Sequence, residues 1–404
     1  MADHTNKPPG RERARGIDPW RALGVASLVL LTVYATVLVM AARQGLWIID
    51  AHGALARSDF SEFWAAGRMA LSGRAVEVYD WPSLRGFLNA HAAGAFAKGS
   101  LPFFYPPFLL LLLAPLMAAP PVVAAALWLG GSYVAYLFAV RSITSRPVVV
   151  LAAAAAPAAF LVVSFGQNGC LSAALLAGGL ALLNRRPLLA GVLIGALAYK
   201  PQLGLLLPVV LIVTGRWRAI LAAAATIGAL SLASGLVFGW GVFAAFLAAA
   251  HVSPGHVPAI GLQSPAKLQS VYGLALTLGA STPLAWGLQL AAVSGAVAFN
   301  SVLWRSGAPY ASKAAALSAS VLLVTPYSGV YDLAVLVPGM AFLLAGSFRL
   351  GWAGALALLV AYLAPLEFAF APFPVGPFAG GLILCVVAAQ WRAFSTSPPG
   401  VDQF

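Results

Sequence analysis

The sequence predicts an all-α integral membrane protein with about twelve crossings. Three observations lead there. Of 404 residues, 61% are hydrophobic and only 8% charged, where a soluble domain carries about a quarter charged. Mean hydropathy is +0.90. The apolar runs last roughly 12 to 22 residues and lack the alternation of a barrel strand, so they read as helices. A net charge of +12 would suggest nucleic acid in a soluble chain. Here the arginines sit in short loops between apolar runs, where they set orientation, so the partner they imply is the bilayer and no nucleic acid. Cys170 and Cys385 fall inside apolar runs and read as small core residues, without a disulfide framework.

Residues 1–21 are polar, with Arg11, Arg13, Arg15 and Arg21, and read as a disordered cytoplasmic N-terminus. Residues 22–42 are too long for a signal-peptide core and read as a retained anchor. They open a single transmembrane domain at 22–392, followed by a cytoplasmic tail at 393–404. Residues 44–102 form its first extracytoplasmic loop. Within it, residues 58–80 (SDFSEFWAAGRMALSGRAVEVYD) hold four of the eleven acidic residues. Asp59 and Glu62, three apart, share one face of a juxtamembrane helix starting there. A capping box, with Asp59 as N-cap, Glu62 at N3 and closure at Ser72-Gly73, accounts for the same pair without chemistry.

Further basic loops fall at 141–146, 184–186, 215–218, 304–313, 347–349 and after 391. Between successive ones a polar turn splits the apolar sequence in two, at 164–168, 199–202, 251–267, 325–332 and 367–376. If the basic loops are cytoplasmic, these turns all face the side of Asp59. Residues 101–140 and 271–303 each hold two apolar runs where charge bias allows one crossing, so one run in each is short, interfacial or re-entrant. Tyr105-Pro106-Pro107 marks irregular backbone that must be buried in protein.

Acidic side chains beyond the termini are Asp50, Asp59, Glu62, Glu77, Asp80, Asp332 and Glu367. Asp59, at the helix start on the outer side, is the first candidate for a base; Glu62 is its neighbour, and Asp80 reads as a turn cap. Lys200, between Tyr199 and Pro201-Gln202 and flanked by half-length apolar segments, is costly near a bilayer and marks a site for a phosphate or diphosphate; snorkelling is the plainer account. Gln167 and Asn168 offer hydrogen bonds to sugar hydroxyls, or cap the following helix. Tyr327 and Asp332 share the same side. His251 and His256 flank a Pro-Gly loop with no acidic partner, which argues for a phosphate or acceptor contact over a metal site. No metal and no cofactor is called for.

These stretches, taken in order, resemble glycosyltransferase family 87, the polyprenyl-phosphate-sugar-dependent membrane transferases of the GT-C superfamily. The motifs are Asp59-Phe60 with FWAAGRMALSG and VYD, FYPPF at 104–108, GQNG at 166–169 with NRRP after it, LAGVLIGALAYKPQLGLLLP, and TPYSGVYDL. The likeness runs from about residue 20 to residue 340. It implies a GT-C-type multi-span helical bundle with juxtamembrane helices in the first extracytoplasmic loop. Asp59 takes the place of the catalytic aspartate, in an inverting transfer of a sugar, commonly mannose, from a polyprenyl monophosphate donor to a lipid or glycan acceptor. The setting it implies is a bacterial inner membrane, with the site extracytoplasmic. Asp59 would take the acceptor's proton, Lys200 would stabilise the leaving phosphate with Arg68 or a loop histidine, and Glu62, Tyr105, Gln167, Asn168, Gln202, Tyr327 and Asp332 would contact substrate. A transporter or flippase for a lipid-linked substrate is the competing reading.

Overall fold

The computed structural model describes residues 18–50, 54–92, 102–256, 264–346 and 350–396. Among them there are helices and no strands, apart from a single antiparallel bridge between Ile49 and Leu55. The first helix, α1 (Pro19–Arg43), starts where the Asp18 carboxylate accepts the Trp20 N–H at 3.1 Å and Pro19 fixes the first turn. Its 25 residues span about 37 Å. Only Ser27 and Tyr34 are buried, so its apolar surface faces outward.

Six helices are long and apolar enough to cross a membrane: α1, Pro121–Ile143, Trp217–Phe238, Thr282–Arg305, Trp352–Ala369 and Gly376–Thr396. A seventh is reached if Pro147–Ala154 and Pro157–Phe165, bent by 41°, count as one. The expected twelve is not reached by length. The reason is that the polar turns cut the remaining apolar sequence into short helices, and these occupy the centre. Gly169–Leu182 buries ten of its 14 residues and Tyr310–Val324 eleven of its 15, whereas the long helices around them keep most of their surface exposed. The two ambiguous stretches each resolve into one short and one long helix. Phe108–Met117 (ten residues) precedes Pro121–Ile143, and Val271–Thr277 (seven) precedes Thr282–Arg305.

The first loop carries α2 (Asp59–Leu71) and α3 (Trp81–His91), and α4 (Phe108–Met117) follows it. No capping box forms on α2: Ser58 is the N-cap, without a side-chain cap bond, and Asp59 is the first helical residue. Its carboxylate is thereby left for another partner. Closure at Ser72 and Gly73 is as expected, with Gly73 at φ +77°. Gly67 lets α2 lie directly on α4, since a Cβ there would come within 2.7 Å of the Leu113 carbonyl oxygen. Asp80 caps α3, accepting from the Ser83 N–H at 3.0 Å and its hydroxyl at 2.6 Å.

The two ends of the bundle differ in chemistry. At one end the basic turns fasten helix termini together. Arg146 reaches the Leu344 carbonyl at 3.3 Å and lies over Trp20, while Arg216 reaches the Leu183 carbonyl at 3.2 Å. At the other end the polar turns meet. Gln269 is the hub there: its N–H donates to the Ser328 carbonyl (2.8 Å), its side-chain NH₂ to the Phe373 carbonyl (3.0 Å), and its side-chain oxygen accepts from the Gly376 N–H (2.9 Å).

Candidate functional site

The turn 166–169 is built by two glycines with different duties. Gly166 ends the helix Pro157–Phe165 at φ +81°, and a Cβ on it would come within 2.5 Å of Phe60 Cβ and 2.9 Å of Phe60 N. Gly169 starts the next helix, where a Cβ would overlap the Tyr331 carbonyl oxygen. One glycine therefore seats the turn on the first turn of α2, and the other seats it on the segment carrying Asp332. Gly166→Ala meets both the left-handed penalty and the collision. A loss of roughly 2–5 kcal/mol is expected, read as a lower Tm of the detergent-solubilised protein and reduced activity in what remains folded.

So placed, Gln167 donates its side-chain N–H to Asp59 Oδ2 at 2.9 Å, while its side-chain oxygen accepts from the Tyr105 hydroxyl at 3.4 Å and the Asn168 N–H at 3.3 Å. Tyr105 is oriented in turn: its ring lies 5.3 Å from Phe63 and stacks at 6.4 Å on Tyr199, and its carbonyl accepts from the Tyr79 hydroxyl at 2.9 Å. Tyr199 donates to the Asn168 carbonyl at 3.2 Å and lies 2.6 Å from the Ser172 hydroxyl.

Lys200 sits between two 3-10 turns and is 3% exposed. Its ammonium donates to Asn168 Oδ1 at 2.9 Å and to Asp332 Oδ1 at 2.5 Å, and stands 4.9 Å above the Tyr331 ring. Asp332, 1% exposed, accepts the Gly329 N–H at 3.0 Å on its other oxygen. The lysine's charge is thus matched within the protein.

Asp59 is half-buried and Glu62 is 4% exposed, with no hydrogen-bond partner among the described residues. Burial raises the Asp59 pKa above the ordinary aspartate value, partly offset by the Gln167 hydrogen bond and by the fields of Lys267 and Lys200. Glu62 is pushed further up, by burial first and the Asp59 charge second, against the pull of Lys200.

Asp59, Glu62, Tyr105, Gln167, Asn168, Lys200 and Asp332 therefore form one cluster. Arg68 lies on the exposed side of α2, over the Trp64 ring and bonded to the Ala118 carbonyl at 3.3 Å. Tyr327 joins an aromatic trio with Tyr272 and Trp286. Gln202 is half-buried beside Lys200, without a hydrogen bond among the described residues. His251 and His256 belong to the helix Gly241–His256, and their side chains lie outside the described residues. Lys267, exposed at the end of the turn Pro265–Lys267, was not singled out by the sequence reading. The available signal was a basic residue in a turn on the side that charge bias keeps poor in cations. Among the described residues no three His, Cys, Asp or Glu side chains gather to hold a metal ion.

Beside this cluster lies an apolar groove of about 720 Å³ between α1, Pro121–Ile143 and Pro157–Phe165, lined by Tyr34, Leu38, Leu129 and Phe160 among others. Ile48 lines it too, and the Ile48 Cδ1 methyl lies 3.1 Å from where a Gly166 Cβ would stand, which puts one end of the groove beside the turn holding Asp59. The Tyr34 hydroxyl has no hydrogen-bond partner among the described residues.

Comparison with known proteins finds no match among curated proteins and none among solved structures. A family model described as glycosyltransferase family 87 matches residues 103–326. That match takes in Tyr105, Gln167, Asn168 and Lys200, and stops short of Asp59 on one side and Asp332 on the other.

Proposed function

The chain belongs to glycosyltransferase family 87, and from that premise we propose that it moves a sugar, mannose by family resemblance, from a polyprenyl monophosphate to a lipid or glycan acceptor. The reaction runs with inversion, on the extracytoplasmic face of a bacterial inner membrane, within a GT-C-type bundle of about twelve crossings. The observation that carries the reading is Asp59: a half-buried carboxylate, held by Gln167, at the end of a groove made for an apolar chain.

Asp59 accepts the proton of the acceptor hydroxyl as that oxygen attacks the anomeric carbon, and the bond from that carbon to the phosphate oxygen breaks on the opposite face. The leaving prenyl phosphate is already an anion and needs positive charge more than it needs a proton. Lys200 is occupied by Asp332, so Lys267, exposed and near enough to act on Asp59, is the cation assigned to the phosphate. The groove takes the prenyl chain from the bilayer, and the Tyr34 hydroxyl, unpartnered among the described residues, is left to donate to bound water.

The test is transfer from synthetic polyprenyl phosphomannose to extracted bacterial lipids by purified protein. A glycosylated product with inverted anomeric configuration is expected; no transfer from this or any other prenyl-linked sugar overturns the reading in favour of a transporter. The raised Asp59 pKa gives a second expectation. The base works only when ionised, so the acid limb of kcat/KM lies above the ordinary aspartate range and the rate falls as pH drops through it. Filling the groove gives a third: Ala35→Trp and Ala126→Trp raise KM for a long-chain donor about tenfold and leave a short-chain donor unaffected, because only the long chain uses that surface.

A further inference from the structure

Two carboxyl groups stand three residues apart on α2, and the reaction above uses one. Glu62 is the other. In a protein interior an ionised carboxylate needs a cation or hydrogen-bond donors, and without them it takes up a proton. The groups facing Glu62 are Asp59 on its own helix, Tyr105 in the segment before α4, Lys200 between its two 3-10 turns, and Tyr331 on the turn Val330–Val335. None of the donors among them turns to Glu62. The ammonium of Lys200 goes to Asp332 and Asn168, the Tyr105 hydroxyl to Gln167, and the Gln167 amide to Asp59. What remains beside Glu62 is a second carboxyl group and aromatic surface.

We propose that Glu62 is a neutral carboxylic acid whose O–H donates a hydrogen bond to an anionic phosphate oxygen of the sugar donor. The inference rests on the transferase reading and deepens it. On a helix, residues three apart have Cβ atoms about 5–6 Å from each other. Glu62 therefore stands one turn along α2 from the base. Glu62 keeps its proton throughout: the acceptor's proton goes to Asp59, the anomeric carbon to phosphate bond breaks, and the hydrogen bond to phosphate shortens as charge grows on it. An ionised Glu62 would repel the same phosphate, so deprotonation at high pH closes the activity.

The experiment is infrared absorption of the purified full chain near neutral pH, in wild type and Glu62→Gln, with and without short-chain polyprenyl monophosphate. Wild type is expected to show a protonated-carboxyl C=O band that moves in D₂O, is missing from Glu62→Gln, and shifts to lower frequency when the phosphate is added. A difference spectrum without that band, or a band unmoved by the phosphate, overturns the proposal. This readout needs no turnover, so it fails separately from the transferase reading. In the transfer assay, Glu62→Gln, which keeps an N–H donor, stays within about tenfold of wild type and loses the alkaline limb. Glu62→Ala falls about 10²–10³-fold. Equal losses in the two variants, or an alkaline limb that survives in Glu62→Gln, also overturn it.

Discussion

Replacing Asp59 by Asn lowers kcat for sugar transfer by about 10³-fold or more, at the upper end of what a positioned general base contributes, and leaves folding intact. The substitution separates chemistry from structure because of where the residue sits. Asp59 is the first residue of α2 and caps nothing, and the side-chain oxygen of Asn can still accept the Gln167 N–H that Asp59 accepts at 2.9 Å. An amide takes up no proton at any working pH, so the acid limb of the profile disappears along with the rate. Donor binding, followed by fluorescence of a labelled prenyl phosphate sugar, holds or tightens once the negative charge is gone. Wild-type kcat in the variant would remove Asp59 from the mechanism, whereas lost binding with lost rate would make it a substrate-holding residue.

Lys200→Met is expected to destabilise the protein by roughly 3–5 kcal/mol, because it leaves Asp332 buried and short of its cation. Asp332→Leu costs a similar amount by stranding the ammonium. The double variant recovers most of the loss, since a matched apolar pair replaces a matched ionic pair. The measurement is Tm in detergent for the four proteins of the cycle. Additive losses in the double variant would mean that the two side chains do not act as a pair. A Lys200→Met protein as stable as wild type, yet unable to bind prenyl phosphate, would return the phosphate-holding role to Lys200 in place of Lys267. The ion pair matters to the site because Lys200 also holds Asn168 Oδ1 at 2.9 Å, the residue beside Gln167, so the pair and the base share one turn.

Much of this arrangement is legible in the sequence for a simple reason. A basic loop and a polar turn alternate along the chain, and each apolar helix between them has one end of each kind. The segments 166–169, 199–200 and 331–332 therefore come to one end although as many as 166 residues apart in sequence. The alternation also locates Asp59, Gln167, Lys200 and Asp332 at one end of the bundle without saying which touch. Pairing is another matter, because Lys200 and Asp332 carry no local sign of each other. The register of α2 was missed for a local reason: Ser58 and Asp59 are both good N-caps, and contact with Gly166 and Gln167, not propensity, decides between them. Helix length alone picks out six or seven of the twelve crossings expected from charge bias, because the polar turns cut the other apolar sequence into shorter helices.

The link between Lys200 and Asp332, 132 residues apart, also bears on how the chain is made. At roughly 5–20 residues per second, ribosomes add those residues in about 7–26 s. For that interval the segment carrying Lys200 waits while its counter-ion is not yet synthesised. An early product ending before residue 332 carries an ammonium among apolar helices without its carboxylate partner.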